Sequence, residues 1–99
     1  MIRHISIFTL ANPNEKEKLI DLLKQVEKCP LVVKSQIGEH IGKKPPLGLE
    51  GPHFGDVIQL LDFQTQEDAD AYPQSKEHMF LFENGPKMKE VTAIDYYFE

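Results

Sequence analysis

Four side chains that can transfer protons or donate hydrogen bonds stand in two regions of the sequence. His4 and Ser6 lie near the start, and Tyr72 and His78 lie in the last third. A histidine ring exchanges a proton near neutral pH, and a tyrosine hydroxyl can hold a carbonyl or enolate oxygen. These residue types therefore suit proton transfer next to a carbonyl group. Three of them also have a structural interpretation: His4 as a hydrogen-bonded strand histidine, Tyr72 as a core residue with a wet hydroxyl, and His78 as a residue that is solvated or helps to cap a helix.

The first strand is predicted over Ile2–Leu10 from the alternation of its residues. One set of alternate positions contains His4 and Ser6, and the other contains Ile5 and Ile7. Both sets carry apolar side chains, so each face of the sheet needs a cover.

A helix is predicted after this strand. Asn12 can cap it, Pro13 suits its first position, and Glu15 completes a capping-box pattern. Pro30 ends it. Its apolar stripe consists of Leu19, Leu22, Leu23 and Val26.

The remaining elements complete a recognisable order. Strands are predicted over 31–41, 56–63 and 91–98, a short helix over 66–72, and a further helix from Ser75 to Asn84. The segment 42–55 is rich in proline and glycine and reads as a loop, with a lid over a pocket as one hypothesis. The order strand, helix, strand, strand, helix, strand predicts an α+β fold. This is the ferredoxin-like βαββαβ plan, with a four-stranded antiparallel sheet and strands one and three in its centre.

The second face of this sheet predicts a partner. Two helices cover only one face of four strands, and the other face still carries apolar residues. A second copy of the sheet is the simplest cover, so we expect a homodimer that packs sheet against sheet.

Composition limits the class of protein. The 99 residues suit one domain, and the net charge of -5 argues against nucleic-acid binding. No run of residues is apolar enough to predict a membrane span or a signal peptide. The single cysteine, Cys29, predicts a reducing cytoplasm. No phosphate-binding glycine loop, zinc-ligand spacing or nucleophile elbow is present.

Several features together resemble the stress-responsive A/B-barrel (Dabb) family. They are the opening Ile2-Arg3-His4-Ile5, the segment from Cys29-Pro30 to Gly38, Phe63 before a short helix, Tyr72 six residues before His78, and Asp95-Tyr96 in the closing strand. The resemblance covers nearly the whole chain. It implies a single Dabb domain over residues 1–99 that forms a dimeric α+β barrel.

The resemblance also implies a site. In a plant polyketide cyclase of the family, a tyrosine and a histidine spaced like Tyr72 and His78 support an aldol condensation without metal or organic cofactor. It therefore implies His78 as base, Tyr72 as donor and His4 as a third catalytic residue, with no cofactor and no metal. The resemblance further places the His4 set of the first strand toward the helices. The expected ligand contacts are Ser6, Phe8, Leu23, Val26, Val57, Gln59, Leu61 and Phe82.

Three functions remain open at this point. A small dimer that binds an apolar or carbonyl-containing metabolite, or that supports stress tolerance, needs only the pocket. A cofactor-free polyketide cyclase or aldol-type lyase needs His78 and Tyr72 as well. A cofactor-independent monooxygenase rests on fold analogy alone.

Overall fold

The computed structural model of the chain describes residues 1–42 and 55–99, and in these it has the predicted order of strands and helices. The strands are β1 (Ile2–Leu10), β2 (Val32–Glu39), β3 (Val57–Phe63) and β4 (Met88–Tyr97). The α-helices are α1 (Lys16–Val26), α2 (Gln66–Ala71) and α3 (Lys76–Asn84). Short 3₁₀ turns precede α1 at Pro13–Glu15 and separate α2 from α3 at Tyr72–Gln74. The proposed lid, 42–55, lies outside the described residues except for its two ends.

The four strands form one antiparallel sheet in the order β2-β3-β1-β4. The prediction that the first and third strands occupy the centre is therefore confirmed. The register places His4 opposite Leu61 on β3 and opposite Asp95 on β4. Residues opposite each other on neighbouring strands share a face, so this register decides which side chains meet.

The start of the first helix differs from the predicted capping box. The Asn12 side chain accepts a hydrogen bond from the backbone N–H of Asn14, and Pro13 begins a 3₁₀ turn rather than the α-helix. Glu15 instead carries a carboxylate 3.9 Å from the Lys18 ammonium. The helix thus begins one turn later than the sequence pattern predicts.

The helices cover the face of the sheet that carries His4. On β1, Ile2, Ser6, Phe8 and Leu10 are buried, whereas the residues between them are only partly buried. The buried hydrophobic core consists of Ile2, Phe8, Leu10, Leu19, Leu23, Val26, Cys29, Val57, Leu61, Phe63 and Tyr72. The helix-facing set expected from the resemblance is the one observed.

The opposite face of the sheet has no cover among the described residues. It carries the partly buried side chains of Ile5, Ile7, Ile58 and Leu60, together with Ile94, which is 45% exposed. Arg3 crosses this face to Asp62 in a bidentate ion pair, with N–O distances of 2.7 and 3.0 Å. An apolar strip with one ion pair therefore faces outward.

Candidate functional site

Tyr72 and His78 meet because a 3₁₀ turn joins α2 to α3. The two ring centres lie 5.0 Å apart in an edge-on contact. Ser75 caps α3 by accepting a hydrogen bond from the backbone N–H of His78, which fixes that residue in the first helical turn. The local sequence thus brings the two predicted side chains into direct contact.

A backbone carbonyl fixes the state of the His78 ring. Nδ1 of His78 lies 2.9 Å from the carbonyl oxygen of Pro73. A carbonyl oxygen only accepts hydrogen bonds, so Nδ1 carries the proton and donates it. In the neutral ring Nε2 then has a free lone pair and can act as a base.

The Tyr72 hydroxyl remains a donor. Burial raises the pKa of Tyr72 well above its ordinary value, and Cys29 and Glu77 raise it further. The residue is 4% exposed, and within residues 1–42 and 55–99 its hydroxyl has no hydrogen-bond partner. A buried phenol in this state is ready to hydrogen-bond to a ligand oxygen.

A second group of polar side chains lies on the sheet beneath Tyr72. Nδ1 of His4 is 2.5 Å from a carboxylate oxygen of Asp95, and Nε2 of His4 is 3.1 Å from Oγ of Ser6. The ring centres of His4 and Tyr72 are 5.9 Å apart. Four of the residues predicted from the sequence therefore lie in one neighbourhood: His4, Ser6, Tyr72 and His78.

A cavity of about 280 Å³ opens beside His78, between α3 and β4. Its wall is almost entirely apolar apart from the histidine. Its lining residues are Phe8, His78, Leu81, Phe82, Gly85, Pro86, Met88 and Val91. Of the expected ligand contacts, Phe8 and Phe82 line this cavity.

The other expected ligand contacts lie deeper. Leu23, Val26, Val57 and Leu61 belong to the hydrophobic core and are at most 2% exposed. The Gln59 amide donates a hydrogen bond to the backbone carbonyl of Leu23 at 2.9 Å. These five residues are buried in this structure, and their contact with a ligand remains a prediction.

A larger groove of about 860 Å³ lies between α1 and α3, next to Leu22 and Phe80. It is lined by none of the predicted site residues. We therefore assign the candidate site to the smaller cavity, because His78 lines it.

The described residues also limit cofactor sites and membrane spans. Within 1–42 and 55–99, no group of three or more histidine, cysteine or acidic side chains is arranged to hold a metal ion. None of the helices in these segments is long and apolar enough to cross a bilayer.

The sequence did not identify three parts of this site. Asp95 reaches His4 only through the β1–β4 register, and the Pro73 carbonyl reaches His78 only through the 3₁₀ turn. Met88 and Val91 line the cavity because β4 begins at Met88, three residues before the predicted start.

Solved structures share this fold at low sequence identity. A Dabb family protein with a ferredoxin-like fold from Mesorhizobium loti is 20% identical, with a TM-score of 0.76, over 97% of this chain and 94% of its own. A hydroxynitrile lyase from Passiflora edulis is 16% identical, with a TM-score of 0.76, over 99% and 93%. A dimeric ferredoxin-like protein of unknown function from Thermobifida fusca is 20% identical, with a TM-score of 0.74, over 98% and 90%.

No family model and no curated protein matches the chain. The structural likeness extends over nearly the full length of each chain, so it concerns the whole fold rather than one motif. The chain therefore has a ferredoxin-like fold, the fold of the Dabb family protein from Mesorhizobium loti.

Proposed function

We propose that this chain is a Dabb-family homodimer that binds a small apolar carbonyl compound in the cavity beside His78. We further propose that His78 and Tyr72 act on it as base and hydrogen-bond donor in cofactor-free lyase or cyclisation chemistry. One observation carries this proposal. The Pro73 carbonyl holds Nδ1–H of His78, which leaves Nε2 as a base next to the Tyr72 ring.

The chemistry follows from these two groups. In an aldol-type reaction, Nε2 of His78 takes a proton from the carbon next to a carbonyl group. The Tyr72 hydroxyl hydrogen-bonds to the oxygen on which negative charge then develops. In the reverse reaction, Nε2 takes the proton of a hydroxyl group while the adjacent carbon–carbon bond breaks.

The cavity favours an apolar substrate of modest size. Its wall includes Phe8, Leu81, Phe82 and Val91, which offer apolar surface to a hydrocarbon or an aromatic ring. A volume of about 280 Å³ is near the lower end of the range for small-molecule sites. A single aromatic ring with a short polar side chain fits this description.

The comparisons support lyase chemistry on this fold. The Passiflora edulis protein is described as a hydroxynitrile lyase, an activity that breaks a carbon–carbon bond next to a hydroxyl group. At 16% identity it supports the class of reaction and leaves the substrate of this chain open.

The uncovered face of the sheet supports the homodimer. Apolar side chains of Ile5, Ile7, Leu60 and Ile94 lie side by side on it. Similar structures from Thermobifida fusca and Jannaschia are described as dimeric. A second copy placed sheet against sheet would remove this strip from water.

The proposed setting is the cytoplasm, as a single domain. Cys29 is buried and has no disulfide partner, which fits a reducing compartment. The net charge of -5 disfavours nucleic acid as a partner.

The proposal is tested with two probes that both release benzaldehyde. Mandelonitrile is a cyanohydrin, and the aldol of benzaldehyde and acetone is a β-hydroxy ketone. We expect the wild-type protein to release benzaldehyde from at least one of them above the rate of a blank. His78→Gln should reduce this release by about a hundredfold or more, because it removes the base.

His40→Gln is the matched control, because His40 directly follows β2, which is at the edge of the sheet opposite to β4. Its rate of benzaldehyde release should equal that of the wild type. Binding of benzaldehyde without turnover of either probe would reduce the proposal to a binding protein. Equal turnover by wild type and His78→Gln would overturn the assignment of the base.

A further inference from the structure

Ser6, His4 and Asp95 form a continuous hydrogen-bonded chain across two strands. Asp95 lies directly opposite His4 in the β1–β4 register, and Ser6 follows His4 two residues later on the same face. Oγ of Ser6 is 3.1 Å from Nε2 of His4, and Nδ1 of His4 is 2.5 Å from Asp95. This is the connectivity of a Ser-His-Asp catalytic triad, which is recognised by its geometry rather than by the order of its residues in the sequence.

The carboxylate of Asp95 fixes the direction of these hydrogen bonds. An ionised carboxylate only accepts, so Nδ1 of His4 donates to Asp95. In the neutral ring Nε2 then accepts, and the Ser6 hydroxyl donates to it. A serine that donates to an imidazole lone pair is the arrangement that activates the hydroxyl as a nucleophile.

The surroundings of Ser6 provide the remaining parts of an acyl-transfer site. Phe8, two residues along the same face, and Val91, which is opposite Phe8, both line the apolar cavity. Tyr72 packs against the His4 ring and offers a hydroxyl with no partner in the described part of the chain. That hydroxyl is therefore the candidate donor to an oxyanion that forms at Ser6.

We propose that Ser6 is the nucleophile of a Ser6–His4–Asp95 triad that hydrolyses esters with a small apolar acyl group. The role is separate from the one assigned to His78 and does not depend on it. It gives this site a covalent chemistry that the base and donor alone do not provide.

The reaction proceeds in two balanced stages. Oγ of Ser6 bonds to the acyl carbon while its proton moves to Nε2 of His4, and the alkoxide then leaves with that proton as an alcohol. Water next attacks the acyl-Ser6 ester and gives one proton to Nε2. The carbon–Oγ bond breaks, the carboxylic acid departs, and Ser6 regains its proton from His4.

Diisopropyl fluorophosphate tests the nucleophile directly, because it bonds covalently to an activated serine. We expect the mass of the intact protein to increase by a single adduct, and peptide mapping to place the adduct on Ser6. Ser6→Ala should abolish the adduct. Ser35→Ala, a serine on β2, should be labelled at the wild-type rate.

Asp95→Asn provides a second variant that does not disturb the core, because the Asp95 side chain is 45% exposed. The amide permits the wrong tautomer of His4, so the labelling rate should fall by about a hundredfold or more. Hydrolysis of p-nitrophenyl butyrate should fall in parallel. An unlabelled wild-type protein, an adduct on another residue, or labelling of Asp95→Asn at the wild-type rate would each overturn the proposal.

Discussion

The candidate site depends on which nitrogen of each histidine carries a proton. Backbone and carboxylate acceptors decide this for both rings: the Pro73 carbonyl for His78 and the Asp95 carboxylate for His4. Both arrangements leave Nε2 as the acceptor. The candidate site therefore has two histidines in contact with the Tyr72 ring, each with Nε2 as the nitrogen that can accept a proton.

Tyr72→Phe tests the donor with the smallest possible change. The ring keeps its contacts with Phe63 and both histidines, so stability should change little. Benzaldehyde release should fall by about a hundredfold, because the developing oxyanion loses its hydrogen bond. Steady-state kinetics should show the loss in kcat. A fall in thermal stability with unchanged kcat would instead mean that the hydroxyl has a structural role.

Much of the candidate site was visible in the sequence. The sequence grouped His4, Tyr72 and His78, and these residues are in contact in the structure, because strand alternation and helix starts are local properties. Asp95 was not identified, since its distance from His4 depends on the pairing of residues that are far apart in the chain. Leu23 and Val26 lie in the core of the structure. An apolar stripe on a helix does not distinguish a core position from the wall of a pocket, so the sequence alone could not place them.

At the scale of elements, the connection between α2 and α3 positions the proposed base. Each of these helices has its own side-chain cap: Thr65 accepts from the backbone N–H of Asp68, and Ser75 accepts from that of His78. Both caps are side-chain hydroxyls that accept from the third residue after them. They differ in that residue, which is Asp68 for Thr65 and the proposed base, His78, for Ser75.

This pair of caps gives a matched test. Thr65→Ala and Ser75→Ala should each lower the free energy of unfolding by about 1 kcal/mol, as measured by urea denaturation. Only Ser75→Ala should also slow benzaldehyde release, because the backbone N–H of His78 loses its acceptor. Equal effects of the two variants on turnover would show that α3 does not position the base.

The β1–β3 pair carries an acid-sensitive contact. The hydrogen bond from Arg3 holds the pKa of Asp62 below its ordinary value, against the opposing effect of burial. The unfolded chain therefore takes up this proton first as the pH falls below about 4. The contact stabilises the fold above that pH, and its contribution is lost as the pH falls through the lower pKa of the folded state.

Urea denaturation across this range checks the contribution of Asp62. The wild-type free energy of unfolding should fall more steeply below about pH 4 than that of Asp62→Asn, which has no carboxylate to protonate. Asp62→Asn should also be less stable near neutral pH, because Arg3 loses its partner. Parallel pH curves for the two proteins would contradict the linkage.

At the scale of the whole molecule, the two faces of the sheet differ in what covers them. The helix-covered face holds the candidate site, and the open face carries the apolar strip together with the Arg3–Asp62 ion pair. The prediction of the sheet order was correct because right-handed crossovers permit few arrangements of two βαβ units. The shape of the cavity could not be predicted, since it depends on how side chains from α3 and β4 fit together.

Ile94→Lys tests the proposed dimer at the open face. A lysine there would place its charge within the sheet-to-sheet contact, so the variant should be a folded monomer at micromolar concentration. Val91→Lys is the matched control, because Val91 is on the same strand and 50% exposed but faces the helices. Analytical ultracentrifugation of the two variants shows whether each is a monomer or a dimer. A dimeric Ile94→Lys, or an equally monomeric Val91→Lys, would exclude this interface.

The most direct test of the central claim is the state of the His78 ring, which is observable by NMR of protein with ¹⁵N-labelled histidine. At mildly alkaline pH we expect a proton on Nδ1 and none on Nε2 of His78. We further expect the Nε2 resonance to shift when benzaldehyde is added. A proton on Nε2, or a resonance that does not respond to the carbonyl compound, would contradict the assignment of His78 as the base of this site.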